Sequence, residues 1–181
     1  MQVDRPDTPT LQAYNVGDSL ISRVRILRNL LWSPKNGLQN PLMLAIARQV
    51  TRSCAGRDAT CELQSIYKFV VENVRYTGDI NSIDTFSAPL RTLQMGGEDC
   101  DGHCLVNAAL AIANGFRAKA RITSNRGLTW DHIYCMVGLP KGRADHWIAL
   151  DTTLAKSRTD VSRFGREPPR AKFEDFALEK P

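Results

Sequence analysis

Apolar residues recur at the spacing of one helix face in three stretches of the first half of the chain. The first stretch, 19–31, carries leucines and a valine at that spacing and keeps its arginines mostly on the opposite side. The second, 41–52, begins with Pro41, which favours the first turn of a helix. The third, 59–74, follows Asp58, a residue type that caps helix N-termini. The pattern therefore predicts three helices, each with an apolar face that needs a partner.

The second half of the chain changes from helical spacing to alternation. An alanine-rich run at 101–114 predicts one more helix, and Gly115 is placed to end it. Residues 116–123 then alternate apolar with polar side chains, which indicates a half-buried strand. Two further runs rich in β-forming residues, 131–137 and 145–153, predict two more strands. Helices followed by three sequential strands indicate an α+β fold with a small antiparallel sheet.

A chain of 181 residues with 43% hydrophobic content can bury one core. From the patterns above we predict an N-terminal arm with a basic amphipathic helix over 1–40, a domain over 41–155 and a basic C-terminal tail over 156–181. The formal net charge is +5, and basic residues cluster near the two ends. Such clusters suit solvated arms or contact with an acidic protein or a membrane surface. Because no nucleic-acid motif accompanies them, we do not expect nucleic acid as a partner.

The N-terminal residues and the cysteines bear on location. No run approaches the roughly 20 apolar residues that span a bilayer, and the first ten residues are polar with two prolines. We therefore predict a protein made in the cytoplasm, with no membrane span.

Five cysteines, an odd number, argue against a disulfide framework, so Cys54 and Cys61 are expected to be reduced. No acidic loop of the calcium-binding type is recognisable, and no cofactor is expected.

The glycine-rich turn at 96–104 is the stretch most informative about chemistry. It leads directly into the alanine-rich helix, which places Cys100 at or just before the first helical turn. There the helix dipole and the unpaired backbone N–H groups stabilise a thiolate, and the same N–H groups can bind an oxyanion that forms on a substrate. Glu98, Asp99 and Asp101 oppose this, because carboxylates raise the pKa of a neighbouring thiol. A reactive Cys100 therefore needs a basic partner.

Three histidines could be that partner. His132 stands near the start of one predicted strand, and Asp151 stands near the end of the next. Cysteine at a helix start, histidine on one strand and aspartate on the next is a chain order found for a nucleophile, a base and the residue that orients the base. His103 lies on the same helix as Cys100 and is expected to point along its surface. His146 alternates onto the face opposite Asp151, so His132 is the preferred base.

A zinc site is the alternative interpretation of the same residues. Cys100, His103 and Cys104 lie on one helical face and could be completed by another cysteine. The candidates for the fourth ligand are Cys54, Cys61 and Cys135. No paired Cys-x-x-Cys element is present, and acidic neighbours are unusual at such a site, so we predict no metal.

Three short motifs resemble, in the same order, the transglutaminase-like superfamily of papain-related cysteine enzymes. They are the Gly-x-x-Asp-Cys-Asp block around Cys100, the His-x-Tyr strand at His132 and the Trp-x-x-Leu-Asp-Thr-Thr strand that follows it. The resemblance covers about 74–153. Two upstream pieces, 75–79 and 89–93, are similar to the short forms of this superfamily found in phage and prophage structural modules.

The resemblance implies a papain/transglutaminase-like core, in which N-terminal helices and a nucleophile at a helix start pack on a small antiparallel sheet. It also implies that Cys100 is the nucleophile, His132 the general base and acid, and Asp151 the residue that orients the imidazole. Candidates for holding the oxyanion or lining the substrate pocket are Gln94, Asp101 and Trp147. Gln94 lies six residues before Cys100, the distance at which papain-type enzymes place an oxyanion-binding glutamine.

The resemblance implies acyl transfer through a thioester. Water would complete hydrolysis, as in a protease or amidase, and a lysine amine would complete a protein crosslink, with a protein or peptide as substrate. The alternative is a structural or interaction protein of a phage particle that uses the same fold with or without activity, because fold does not by itself imply function. In that case the basic ends would dock on other phage structural proteins, and the protein would be virion-associated.

Overall fold

The computed structural model describes residues 19–56, 58–78 and 86–180. Within those ranges it contains five α-helices. They are α1 (Leu20–Leu31), α2 (Pro41–Thr51), α3 (Ala59–Asn73), α4 (Pro89–Met95) and α5 (Cys100–Ala113). Of the helices in the described part of the chain, none is long and apolar enough to span a membrane. The first part of the predicted N-terminal arm, 1–18, lies outside the described residues.

The strands form two sheets. A short parallel pair joins β1 (Arg75–Tyr76) to β2 (Gly97–Glu98). The larger sheet is antiparallel, has four strands and runs in the order β5-β4-β3-β6. Its strands are β3 (Arg117–Ser124), β4 (His132–Leu139), β5 (His146–Leu150) and β6 (Lys172–Ala177). A 3-10 turn, Thr152–Leu154, follows β5. The predicted α+β class is thus confirmed.

The predicted helices form where local chemistry favours them. Asn40 accepts a hydrogen bond from the backbone N–H of Leu42 at the start of α2, and Pro41 occupies the first turn. Asp58 caps α3 by accepting from the N–H of Cys61. The predicted apolar faces of α1 and α3 are buried almost throughout. Their buried residues are Val24, Leu27, Leu31, Leu63, Ile66, Tyr67, Val70 and Val71.

The central element is α5. Helices α1 to α4 pack around it on one side, and β3 and β4 pack against it on the other. Eleven of its 14 residues are buried, so the helix is enclosed nearly all round instead of on one face. Its alanines have small side chains, which lets neighbouring elements approach closely. Cys100 therefore lies at the edge of the core, where α5 begins.

The prediction of a basic C-terminal tail over 156–181 is wrong for residues 172–177, because Lys172–Ala177 forms the edge strand β6. It pairs with β3 from Lys119 opposite Ala177 to Ser124 opposite Lys172. The next residue, Leu178, is fully buried, and its carbonyl accepts a hydrogen bond from the indole N–H of Trp32 at 3.0 Å. The sequence of this strand, in which three of six residues are charged, carries no clear alternation. Pairing with β3 decides its conformation.

The predicted separate arm also differs from the structure in its described part. Leu27 and Leu31 of α1 are fully buried in the same core as α5. The helix is amphipathic, as predicted, but its apolar face is covered within the chain. Over the described residues, then, α1 and β6 belong to one packed unit with the central domain.

Cys54 and Cys61 form a disulfide, so the expectation that they are reduced is wrong. The turn between α2 and α3 reverses the chain and brings their Cα atoms within 5.7 Å, a distance suited to the bond. Cys100, Cys104 and Cys135 are free thiols. Spacing alone did not reveal this turn.

Candidate active site

The N-terminus of α5 is capped by Asp99. Its carboxylate Oδ1 accepts from the backbone N–H of Asp101 at 3.0 Å and from that of Gly102 at 3.3 Å. The N–H of His103 donates to the carbonyl of Asp99. These three N–H groups are already engaged by Asp99, so the expectation that the whole first turn can bind an oxyanion is wrong for them. Among the described residues, Cys100 carries the first-turn N–H group that remains without an acceptor.

Two glycines shape the turn that precedes Cys100. Gly96 ends α4 with a φ of 68°, a left-handed conformation that side chains disfavour. At Gly102 an added Cβ atom would lie 2.0 Å from Cγ of Glu98. The buried Glu98 side chain therefore lies directly on the first turn of α5. Glycine at this position allows β2 and α5 to approach as closely as the site requires.

Cys100 is partly buried where α5 meets the start of β4. Its sulfur receives a hydrogen bond from the backbone of Ile133, the residue that follows His132. Burial raises the pKa of the Cys100 thiol above its ordinary value, and the carboxylates of Asp101 and Asp99 raise it further. The Ile133 hydrogen bond and Arg23 act in the opposite direction. The thiol is therefore neutral in the free protein at neutral pH.

His132 and Asp151 are in direct contact, as the chain order predicted they could be. The imidazole Nε2 lies 2.8 Å from Oδ2 of Asp151. The Asp151 side chain is fully buried, whereas 18% of the His132 side chain is exposed. The other carboxylate oxygen, Oδ1, accepts from the backbone N–H of Thr153 at 3.2 Å and from its hydroxyl at 2.6 Å. Both oxygens of Asp151 are engaged, which fixes the carboxylate beside the ring.

Two tyrosines support this pair, and sequence reasoning assigned neither a role at the site. The hydroxyl of Tyr67 donates to the backbone carbonyl of Asp151 at 3.3 Å. The ring of Tyr134 lies 5.7 Å from the His132 ring, centroid to centroid, and its hydroxyl donates to Glu167 at 2.7 Å. Burial, first of all, raises the pKa of both hydroxyls. Both tyrosines therefore remain hydrogen-bond donors.

Arg23 of α1 also reaches the site, although its position in the sequence suggested an arm. Its guanidinium Nη2 lies 3.7 Å from Oδ2 of Asp101, whose side chain is 2% exposed. The guanidinium also lies over the ring of Phe86, 5.5 Å from the centroid. Asp101 is thus held in a buried ion pair, and a carboxylate there cannot donate to an oxyanion. This geometry does not favour Asp101 as an oxyanion donor, and its place in the substrate pocket stays a prediction.

The structure does not bring Trp147 to His132. Strand register pairs Trp147 with Gly138, six residues along β4 from His132, or about 20 Å at ~3.3 Å per residue. The indole packs on the outer face of the sheet, beside Tyr134 and Met136, and carries Lys119 over its ring at 4.1 Å. The predicted pocket role of Trp147 is therefore replaced by a packing role. Gln94 is exposed in the last turn of α4, and its oxyanion role stays a prediction.

The competing histidines occupy other environments. His103 is buried, and its Nδ1 lies 2.8 Å from the hydroxyl of Thr152. Burial lowers the pKa of His103 to about 4, so its imidazole is neutral. His146 is exposed at the start of β5, where it pairs with Leu139. Of the three histidines, then, His132 contacts the Asp151 carboxylate.

The residues of the zinc alternative are dispersed. Cys104 is buried in the main core, as is Cys135, while Cys54 and Cys61 are bonded to each other. Over the ranges that the structure describes, no three or more His, Cys, Asp or Glu side chains are grouped to hold a metal ion.

With this geometry in hand, comparison with known proteins identifies the fold. No protein-family model matches the chain, and no curated protein matches it in sequence. The fold is similar to a solved structure described as "a Putative Cysteine Protease from Cytophaga hutchinsonii", with a TM-score of 0.52 and 15% identity. The match covers 73% of this chain and 42% of that one, so this chain spans less than half of its length. The protein thus has an α+β fold similar to that of a cysteine protease.

Proposed function

We propose that this protein is a transglutaminase-like cysteine enzyme that acts on amide bonds through a thioester. Cys100 is the nucleophile, His132 the general base and acid, and Asp151 the residue that orients His132. The observation that supports this most directly is the 2.8 Å contact between Nε2 of His132 and the fully buried Asp151 carboxylate. It occurs at the start of β4, where the backbone of the next residue hydrogen-bonds to the Cys100 sulfur.

The first step follows from which imidazole nitrogen is engaged. Because Nε2 faces Asp151, Nδ1 of His132 takes the thiol proton of Cys100 as the sulfur attacks the substrate carbonyl carbon. A C–S bond forms, and the carbonyl π electrons move onto oxygen. The backbone N–H of Cys100 donates to that oxyanion, and the exposed Gln94 amide is the proposed second donor once substrate is bound.

The second step expels the amine. The oxyanion electrons re-form the carbonyl, the C–N bond breaks, and Nδ1–H of His132 protonates the leaving nitrogen, which leaves a thioester on Cys100. Water or a lysine amine then attacks the thioester carbonyl carbon and loses a proton to Nδ1 of His132. The C–S bond breaks, the Cys100 sulfur takes that proton back as a thiol, and an acid or an amide crosslink is released. Asp151 stabilises the imidazolium that exists between proton transfers.

The electrostatics favour proton transfer during attack over a preformed ion pair. Burial and the adjacent carboxylates raise the pKa of the Cys100 thiol, so the free protein holds a neutral thiol. A thiol in this state depends on His132 for activation. Removal of His132 should therefore suppress Cys100 chemistry strongly.

The test uses an acyl probe because the natural substrate is unidentified. Purified protein is mixed with p-nitrophenyl acetate, nitrophenolate release is followed across pH 5 to 9, and the acetylated residue is mapped by mass spectrometry. We expect acetylation of Cys100 that falls at least about a hundredfold in His132→Ala. The control is His146→Ala, which removes an exposed histidine from the far end of the same sheet. Equal rates in wild type and His132→Ala would overturn the proposal.

Preferential labelling of Cys100 would not be decisive by itself. The other two free thiols are almost fully buried, so exposure alone favours Cys100. Dependence on His132 is the discriminating result. A labelled primary amine added during turnover of a protein mixture then separates the two outcomes, because amine incorporation reports crosslinking and new N-termini report hydrolysis.

We propose as a second candidate a structural protein of a phage particle that uses this fold without chemistry, an interpretation with which the raised pKa of the Cys100 thiol is compatible. Its partners would be other phage structural proteins, bound through the terminal segments, and it would become virion-associated after synthesis in the cytoplasm. Co-purification with particles by both wild type and Cys100→Ala, together with acylation that ignores His132, would support this candidate. A monomer that never associates with particles would count against it.

A further inference from the structure

We propose that Arg23 is a positioning residue of this site, which offsets the negative charge beside Cys100 by holding the Asp101 carboxylate. This inference rests on the proposed function and extends it to α1, a helix outside the segment that carries the sequence motifs. It makes α1 part of the active site, since the cation of α1 acts on the residue next to the nucleophile.

The geometry places Arg23 at a junction between two helices. The residue lies beside the buried Val24, on a helix that packs against α5. Its Nη2 is 3.7 Å from Oδ2 of Asp101, and Asp101 directly follows Cys100 in the first turn of α5. The Phe86 ring, 5.5 Å from the guanidinium carbon, restrains the guanidinium further.

The groups that act on the Cys100 thiol come from three elements. Asp99 and Asp101 at the start of α5 contribute negative charge, and Arg23 from α1 contributes positive charge. From β4 comes the backbone hydrogen bond of Ile133, the residue that follows His132. A thiolate that develops at Cys100 is thus close to two carboxylates. Arg23 is the described cation that opposes them.

A purely structural role for the same ion pair makes different predictions. If Arg23 only anchors α1, each replacement should lower thermal stability in proportion to the packing that it removes. The alkylation rate of Cys100 should then change only in variants whose stability changes. If Arg23 acts through its charge, a lysine should substitute for it. Removal of the opposing Asp101 charge should then compensate for its loss.

The experiment measures the rate of Cys100 alkylation by iodoacetamide from pH 6 to 10 in wild type, R23Q, R23K, D101N and R23Q/D101N. Loss of one nearby opposite charge shifts a pKa by about one unit, so we expect R23Q to react about tenfold more slowly at each pH below its midpoint. R23K should stay near wild type, D101N should react faster, and the double variant should return toward wild type. R25Q is the matched control, because Arg25 is exposed on the same helix.

Thermal unfolding of every variant accompanies these rates, so that a folding defect is recognised. An unchanged pH profile in folded R23Q would overturn the inference, as would an R23K profile shifted as far as that of R23Q. The His132→Ala variant separates this outcome from failure of the proposed function. Wild-type reactivity that depends on His132 but not on Arg23 overturns the role of Arg23 alone, whereas dependence on Arg23 but not on His132 overturns the enzymatic proposal and leaves the charge effect standing.

Discussion

Charged groups are arranged differently on the two faces of the sheet. On the outer face, Arg121 makes three short contacts, with Asp175 at 2.7 and 2.8 Å and with Glu167 at 2.7 Å. On the inner side, between α1 and α5, the described pair between Arg23 and Asp101 is separated by 3.7 Å. One face carries a closed network of hydrogen-bonded ions. The other has a longer pair next to a partly buried thiol.

The two arrangements have opposite effects on their titratable groups. On the outer face burial opposes ionisation, yet hydrogen bonds from Arg121 and its neighbours hold the pKa of Glu167 and Asp175 below their usual range. At Cys100 burial and carboxylates act together, and the pKa of the thiol rises. The outer network therefore stabilises the fold in its resting ionisation state. The inner site is unfavourable for charge at rest, as is common where a group must change charge during a reaction.

The largest effect should come from Asp151, the fixed carboxylate of the inner site. Asp151→Ala removes the partner of His132 Nε2, and acylation of Cys100 by p-nitrophenyl acetate should fall by about a hundredfold, close to the effect of His132→Ala. Asp151→Asn keeps an acceptor but loses the charge, so its loss should be smaller. Asp160→Ala is the control, because Asp160 also accepts from a backbone N–H two residues on but lies in an exposed turn. Equal acylation in Asp151→Ala and wild type would remove Asp151 from the proposed mechanism.

The outer network should matter for stability instead of chemistry. Arg121→Ala leaves two partly buried carboxylates without their main partner, so the free energy of unfolding in urea should fall by about 3 kcal/mol. Arg117→Ala on the same strand removes an exposed pair with Glu179, whose side chains are 48% and 57% exposed, and should change it by less than about 1 kcal/mol. Folded Arg121→Ala should keep acylation that depends on His132, with a small change in rate, because Glu167 is linked to His132 through Tyr134. Equal losses of the free energy of unfolding in Arg121→Ala and Arg117→Ala would show that the outer network stabilises the fold no more than an exposed ion pair.

The inner side should show its own pH dependence of stability through His103. Burial lowers the pKa of His103 from 6.5 to about 4, so between these values the unfolded chain binds a proton that the folded chain does not. Stability should thus fall as pH drops from about 6.5 to 4, by at most about 3 kcal/mol. Urea unfolding at several pH values measures this.

The control for His103 is the exposed His146. His103→Gln should flatten the stability profile between pH 4 and 6.5, whereas His146→Gln should leave it as in wild type. If His103→Gln does not fold, the imidazole signals of His103 can be titrated by NMR in the wild-type protein. A His103 that titrates near 6.5 would contradict the prediction.

The smallest effect is expected at Trp147. Trp147→Phe weakens the contact with Lys119, and the free energy of unfolding should fall by about 0.5–1 kcal/mol. Acylation of Cys100 should not change, because Trp147 lies at the far end of β4 from His132. If Trp147→Phe lost most of its acylation of Cys100 and kept normal stability, the predicted pocket role of Trp147 would be supported.

Local patterns predicted a substantial part of the fold. The helices at 41–51 and 59–73 begin at side-chain caps, and the strand at 117–124 follows a glycine that ends α5. These features depend on neighbours within a few residues. The β6 strand at 172–177 was missed, because its hydrogen bonds come from β3, some 50 residues earlier. A sequence with weak alternation does not reveal a partner at that distance.

The sequence by itself determined the order of the candidate chemistry: a cysteine at a helix start, a histidine at the start of a strand and an aspartate after the next strand. The spacing of these residues assigns each of them to the end of a helix or strand, because turns and strand lengths depend on nearby residues. Tertiary structure decided which groups meet. The disulfide, the tyrosines at His132 and Asp151, and the contact of Arg23 with Asp101 all join residues brought together by packing. Charge and burial at Cys100 depend on those contacts, so the pKa of its thiol follows from the fold.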